Sequence, residues 1–159
     1  MKMKSCILIT GIITLIFFGP SSNAQNVIRQ TPCTTASIIQ QADSIKQFLA
    51  KQGFTVIKEA SIQMVSESEM PVIVPLTEGN WYQFVFIGDA GSNSYEVRMF
   101  DWNEKQVVYQ KKYWGDADDN VISYSYSPTF SEFHMIKPLQ DNNKKKDLCG
   151  YVMLLKKTN

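Results

Sequence analysis

Trp81-Tyr82-Gln83-Phe84-Val85-Phe86-Ile87 is a short aromatic and apolar run. Glu78-Gly79-Asn80 opens it and Gly88-Asp89-Ala90-Gly91-Ser92-Asn93 closes it. Aromatic and β-branched side chains fit a pleated, half-buried surface. Gly, Asn and Asp supply the backbone conformations of turns. A run bounded in this way reads as one strand of an antiparallel sheet.

The same punctuation continues on both sides. Ala60, Ile62 and Met64 alternate with Ser61, Gln63 and Val65. Val72-Ile73-Val74 lies between Pro71 and Pro75, which predicts a short strand at a sheet edge, where a missing N–H is tolerated. Tyr95, Val97 and Met99 alternate with Glu96 and Arg98, and the turn over 101–104 leads into a strand over 106–113. A polar loop follows at 115–120. Strands are expected at 121–126 and 130–136, around Ser127-Pro128, and at 149–155 after a charged loop over 141–147. About eight short strands at this spacing specify a sandwich or barrel.

One segment has the other period. Ile38, Ala42, Ile45 and Leu49 recur at helical steps between Thr34 and Gln52, with Phe48 alongside. They form one apolar stripe to pack on the sheet. Thr34 or Thr35 can cap its start, and Gly53 suits a left-handed residue past its end. The expected fold is mainly β: an antiparallel, jelly-roll-like β-sandwich with one N-terminal helix packed on it. The absence of strand–helix alternation excludes a parallel α/β sheet. The domain spans 34–159.

Residues 1–24 read as a signal peptide. Lys2 and Lys4 precede an apolar run over 7–18; Gly19-Pro20 breaks it, and Ser22-Asn23-Ala24 provides small residues for cleavage. The run is shorter than the ~20 residues that a spanning helix needs. Residues 25–33 form a flexible lead. The expected location is periplasmic or secreted, with no membrane span after cleavage. The formal net charge of +1 falls to about −1 when Lys2 and Lys4 leave. No basic stripe marks a nucleic-acid surface.

Cys6 leaves with the signal. Cys33 and Cys149 remain, and in an oxidising compartment they are expected to pair, tying the two ends of the domain together. They are too few for a structural zinc site.

Candidate chemistry is sparse. His134 is the sole histidine, and no nucleophile motif accompanies it. Asp116, Asp118 and Asn120 place side-chain oxygens at the spacing that opens a calcium loop, so calcium is the cation this segment suits. Val121 and Ser127 stand where such a loop needs glycine and glutamate. Carboxylate pairs such as Glu67 with Glu69, or Asp101 with Glu104, have no specificity as a glycosidase signal. Lys144-Lys145-Lys146 reads as a solvated loop. Aromatic residues near loops are the remaining candidates. Trp102 in a polar turn, with Tyr113 and Trp114, could stack on a sugar or anchor a protein interface.

The segments Gly79-Asn80-Trp81-Tyr82-Gln83-Phe84-Val85-Phe86, Tyr95-Glu96-Val97-Arg98-Met99-Phe100-Asp101, Ser127-Pro128-Thr129-Phe130 and Cys149-Gly150-Tyr151-Val152-Met153-Leu154 together resemble the bacterial pre-peptidase C-terminal domains and related jelly-roll accessory domains. The resemblance covers roughly half of the chain. It implies a non-catalytic β-sandwich of a secreted bacterial protein, sometimes with bound calcium; the helix and its preceding cysteine depart from that pattern. The expected function is an exported, non-catalytic binding or accessory module for a protein partner or a glycan. Two other functions fit the sequence: a small hydrolase using carboxylate or His134 chemistry, and a β-barrel carrier of an apolar ligand.

Overall fold

The computed structural model describes residues 31–33, 35–117 and 120–158. The expected signal peptide, the lead over 25–30, Thr34 and Asp118 lie outside the described residues. Helix α1 (Ala36–Lys51) precedes strands β1 (Phe54–Val65), β2 (Val72–Leu76), β3 (Tyr82–Ile87), β4 (Ser94–Phe100), β5 (Gln106–Tyr113), β6 (Val121–Tyr126), β7 (Glu132–Asp141) and β8 (Asp147–Lys157).

The strands form two four-stranded antiparallel sheets, in the orders β1-β8-β3-β6 and β2-β7-β4-β5. Successive strands alternate between the layers through most of the chain, which gives a jelly roll. The two sheets do not close on each other, so the closed barrel needed by an apolar-ligand carrier is not formed. The space between them is filled by Ile62, Met64, Phe84, Phe86, Tyr95, Val97, Met99, Ile136 and Val152.

A second apolar layer lies on the other face of the first sheet. Val85 and Ile87 of β3 and Cys149, Tyr151, Met153 and Leu155 of β8 meet Ile38, Ala42 and Leu49 of α1. This is why Trp81–Ile87 and Cys149–Leu155 read as nearly continuous apolar runs: both faces of those strands are covered. Phe48 turns away from the sheet and is 61% exposed. Gly53, at φ 82°, ends the helix as expected. Thr35 holds the N-cap position, as expected of one of the two threonines, but makes no side-chain capping bond.

Cys33 and Cys149 form a disulfide with Cα atoms 5.9 Å apart. Of the expected flexible lead, residues 31–33 are tied to the sandwich, since the Thr31 carbonyl also accepts the Gln63 N–H at 2.7 Å. The final two strands are longer than the sequence predicts, and the charged loop between them shrinks to 142–146. Pro138 sits inside β7, opposite Val97 of β4. Its carbonyl accepts the Met70 N–H, so its ring nitrogen faces the same side, beyond the last residue that β2 pairs. The missing N–H therefore interrupts no ladder.

Candidate functional site

The two outer faces of the sandwich differ. Helix α1 covers one; among the described residues, no element covers the other. Strand alternation places Ile73, Phe133, Met135, Lys137, Glu96, Arg98, Tyr109, Lys111 and Tyr113 on that open face.

At one end of it lies a groove of about 210 Å³, lined by Ile73, Asp101, Trp102, Glu104, Phe133, His134 and Met135. Trp102 is 70% exposed and tilts against Phe133, with ring centroids 6.1 Å apart. The turn that carries Trp102 is fixed from within, because one Asp101 carboxylate oxygen accepts the N–H groups of both Asn103 and Lys105 at 2.9 Å. The remaining carboxylate capacity of Asp101 and Glu104 rims the groove.

A charge ladder crosses the middle of the face. Lys137 Nζ lies 3.0 Å from Glu69 Oε2, and Arg98 Nη1 lies 3.2 Å from Glu69 Oε1. Arg98 also contacts Glu96 Oε1 through Nη2. Lys111 Nζ approaches Glu96 Oε2 at 3.6 Å, and the Tyr109 hydroxyl donates to the same oxygen at 3.4 Å. Glu96 is buried beneath these partners. Lys111 Nζ also sits 5.2 Å above the Tyr113 ring, and Tyr113 holds the lysine's pKa above its ordinary value.

The sequence-predicted aromatic residues are exposed but not clustered. Tyr113 and Trp114 are 57% and 69% exposed, and they lie at the opposite end of β5 from Trp102. The strand between puts roughly 20 Å between the two ends. Tyr109 and the charge ladder occupy the interval.

The candidate calcium residues are engaged in the fold. Asp116 Oδ2 accepts the Tyr113 N–H at 2.8 Å. Asn120 is buried, exchanges two side-chain hydrogen bonds with Gln41, and donates to the Gly88 carbonyl. Asp118 lies outside the described residues. Among the described residues, no group of three His, Cys, Asp or Glu side chains is arranged to hold a metal ion.

His134 is 1% exposed. Its Nε2 lies 3.1 Å from the Tyr126 hydroxyl and 3.8 Å from Glu132 Oε1, and its ring meets Tyr126 edge-on. Burial raises the Tyr126 pKa, reinforced by the charges of Glu132 and Asp101. The residue borders the groove, but almost none of its surface is exposed.

Sequence reasoning missed Phe133, Met135 and Ile73. Strand β7 buries His134 and Gln140 and exposes Phe133 and Met135, the reverse of their hydrophobic ranking. Lys137 was the available signal. It shares its face with residues 133 and 135, and an unburied lysine must face water.

No family model matches the chain, and no curated protein matches it. Solved structures to which the chain is similar include these three. One is described as "CBM4 structure and function", at 13% identity and TM-score 0.42, covering 66% of this chain and 79% of that one. The second is described as "Bacillus endospore appendages form a novel family of disulfide-linked pili", at 12% identity and TM-score 0.39, covering 66% of this chain and 89% of that one. The third is an arabinose-bound α-L-arabinofuranosidase, at 11% identity and TM-score 0.37, covering 70% of this chain and 24% of that one. Likeness at this level bears on neither ligand nor activity.

Proposed function

We propose that the protein is an exported, non-catalytic binding module and that the open sheet face takes a glycan. The observation that carries this reading is the exposed Trp102 ring, held beside Phe133 over a groove rimmed by Asp101 and Glu104. An aromatic face stacks on the C–H side of a sugar ring, and neighbouring carboxylates accept from its hydroxyls. Arg98, Lys111 and Lys137 continue the polar surface toward Tyr109 and Tyr113, so the face suits a chain of several residues. The fold is the layered sandwich implied by the resemblance to pre-peptidase C-terminal and jelly-roll accessory domains. The buried His134 supports the non-catalytic part of the reading. The Cys33–Cys149 disulfide supports export, because such bonds persist in oxidising compartments.

A protein ligand is the second reading. It is favoured by the aliphatic members of the groove, Ile73 and Met135, which offer a sugar little. Affinity electrophoresis through gels carrying neutral or acidic polysaccharides tests the first reading. Retardation of the wild type that is lost in Trp102→Ala supports it. Equal mobility in every gel removes it.

A further inference from the structure

Independently of the ligand face, we infer that the edge of β6, unpaired among the described residues, is a homodimer interface, where two copies of this chain join their first sheets into one continuous sheet. Among the described residues the two sheets end in four edge strands, β1, β6, β2 and β5. Unpaired strand edges invite pairing with another chain, and proteins guard them with charge, proline, bulges or cover. Edge β1 carries a register irregularity between Val56 and Lys58, and near its far end it is paired by Thr31. Edge β2 is only five residues long and includes Pro75. Edge β5 carries Lys111 and Lys112. Edge β6, Val121-Ile122-Ser123-Tyr124-Ser125-Tyr126, has no charge, proline or irregularity.

The register identifies which groups are free. The Gly88 N–H donates to the Asn120 carbonyl at 2.8 Å, and the β3–β6 pairs continue in step from there. Residues 122, 124 and 126 therefore face β3 with their N–H and C=O groups. Val121, Ser123 and Ser125 point theirs away from the sheet. A two-fold axis at Ser123 would set Ser123 against its copy and Val121 against Ser125 of the second copy. Each of these pairs would exchange both of its N–H···O bonds. Such an interface is isologous and closes at two subunits.

The space beside β6 fits this arrangement. A groove of about 600 Å³ runs between the flank of α1 and the edge, lined by Ile45, Phe48, Leu49, Val121 and Ser123. It is the volume that the outward side chains of a fifth strand would occupy. Phe48, exposed on that flank, gives the contact an apolar part. Strand pairing alone is small against the ~1,200 Å² of a stable interface.

Charge selects a second copy as the occupant. The β6 edge and the helix flank beside it, Ser37, Gln40, Gln41 and Ser44, are neutral, and the whole chain has a formal net charge of only +1. Edge β5 would bring lysines to this strand and edge β2 a proline. Another β6 meets it with neither penalty.

Sedimentation equilibrium of the oxidised chain tests the inference, together with hydrogen exchange of the Val121, Ser123 and Ser125 amides. The expected wild-type mass is that of two chains, with those amides protected. Ser125→Lys places a charge on each side of the axis, and Ser123→Pro removes an outward N–H; each should lower the mass about two-fold. A wild-type chain that is monomeric with freely exchanging amides overturns the inference. So does a dimer that persists in both variants.

Discussion

Trp102 and Phe133 face each other from separate elements, the β4–β5 turn and strand β7, with ring centroids 6.1 Å apart and planes at 48°. The contact leaves most of the indole in water. Trp81 and Trp114 are also exposed, at 56% and 69%, and these three are all the tryptophans of the chain. Native tryptophan emission should therefore already resemble that of a hydrated indole, and urea should shift its wavelength little while circular dichroism reports full unfolding. A strongly blue-shifted native spectrum would contradict the placement of these rings.

The disulfide joins residues separated by 116 positions. In the chain-entropy account, a loop of this length restricts the unfolded chain by about 4–5 kcal/mol. Replacing both cysteines with serine should lower the unfolding free energy by that order, measured by urea denaturation. Two free thiols in the exported protein, read by non-reducing mass spectrometry, would remove the premise.

Gly88 lies against the packed core at the end of β3. A Cβ there would fall 2.5 Å from the Tyr95 ring and 2.9 Å from Gln140 Oε1. Neither neighbour can yield easily. Tyr95 is fully buried and its hydroxyl donates to the Asp89 carbonyl, while Gln140 Oε1 accepts the Asp89 N–H. Gly88→Ala should cost about 1–3 kcal/mol, seen as a lower urea midpoint. Gly79→Ala meets no atom within 4 Å and bears only the strain of φ 75°.

Helix α1 is fastened to β1 and β8 by a cluster of three side chains. The Tyr151 hydroxyl donates to Glu59 Oε2 at 2.6 Å, and Lys46 Nζ lies 3.1 Å from the same oxygen. The Tyr151 bond is the largest cause that lowers the Glu59 pKa; burial, then Glu59, raises that of Tyr151. A lowered carboxylate pKa stabilises the fold above the ordinary value and loses that contribution as pH falls through the folded one. A raised tyrosine pKa acts the other way, its contribution disappearing as pH rises past about 10. Stability should thus fall below about pH 4 and again above about pH 10. Glu59→Gln should flatten the acid limb by under about 1 kcal/mol, because the site is open to solvent. An unchanged acid limb in thermal melts of the variant would show that Glu59 is uninvolved.

Strand count and helix α1 were legible because each rests on local pattern: period two, period 3.6, and turn residues between them; the cysteine pair, 116 positions apart, was legible from cysteine count and expected compartment instead. The long β7 was not, because Pro138 and Lys137 interrupt its apolar reading, and only the place where β2 ends makes that proline harmless. The open face was partly legible. Trp102 stands in a polar turn and was read as exposed, whereas Phe133 and Met135 lie in a strand whose inward residues include histidine and glutamine. Which sheet the helix covers also decides which face stays open. That depends on how Val85, Ile87 and Met153 share a layer with Ile38 and Ala42, a long-range relation that no window of sequence contains.

Amide chemical-shift mapping of the isotopically labelled, oxidised chain against soluble neutral and acidic oligosaccharides tests the binding claim most directly. Saturable shifts are expected at Ile73, Trp102, Phe133 and Met135, continuing toward Arg98 and Tyr109 and sparing α1. Shifts confined to the helix side of the molecule, or none with any glycan, would contradict it.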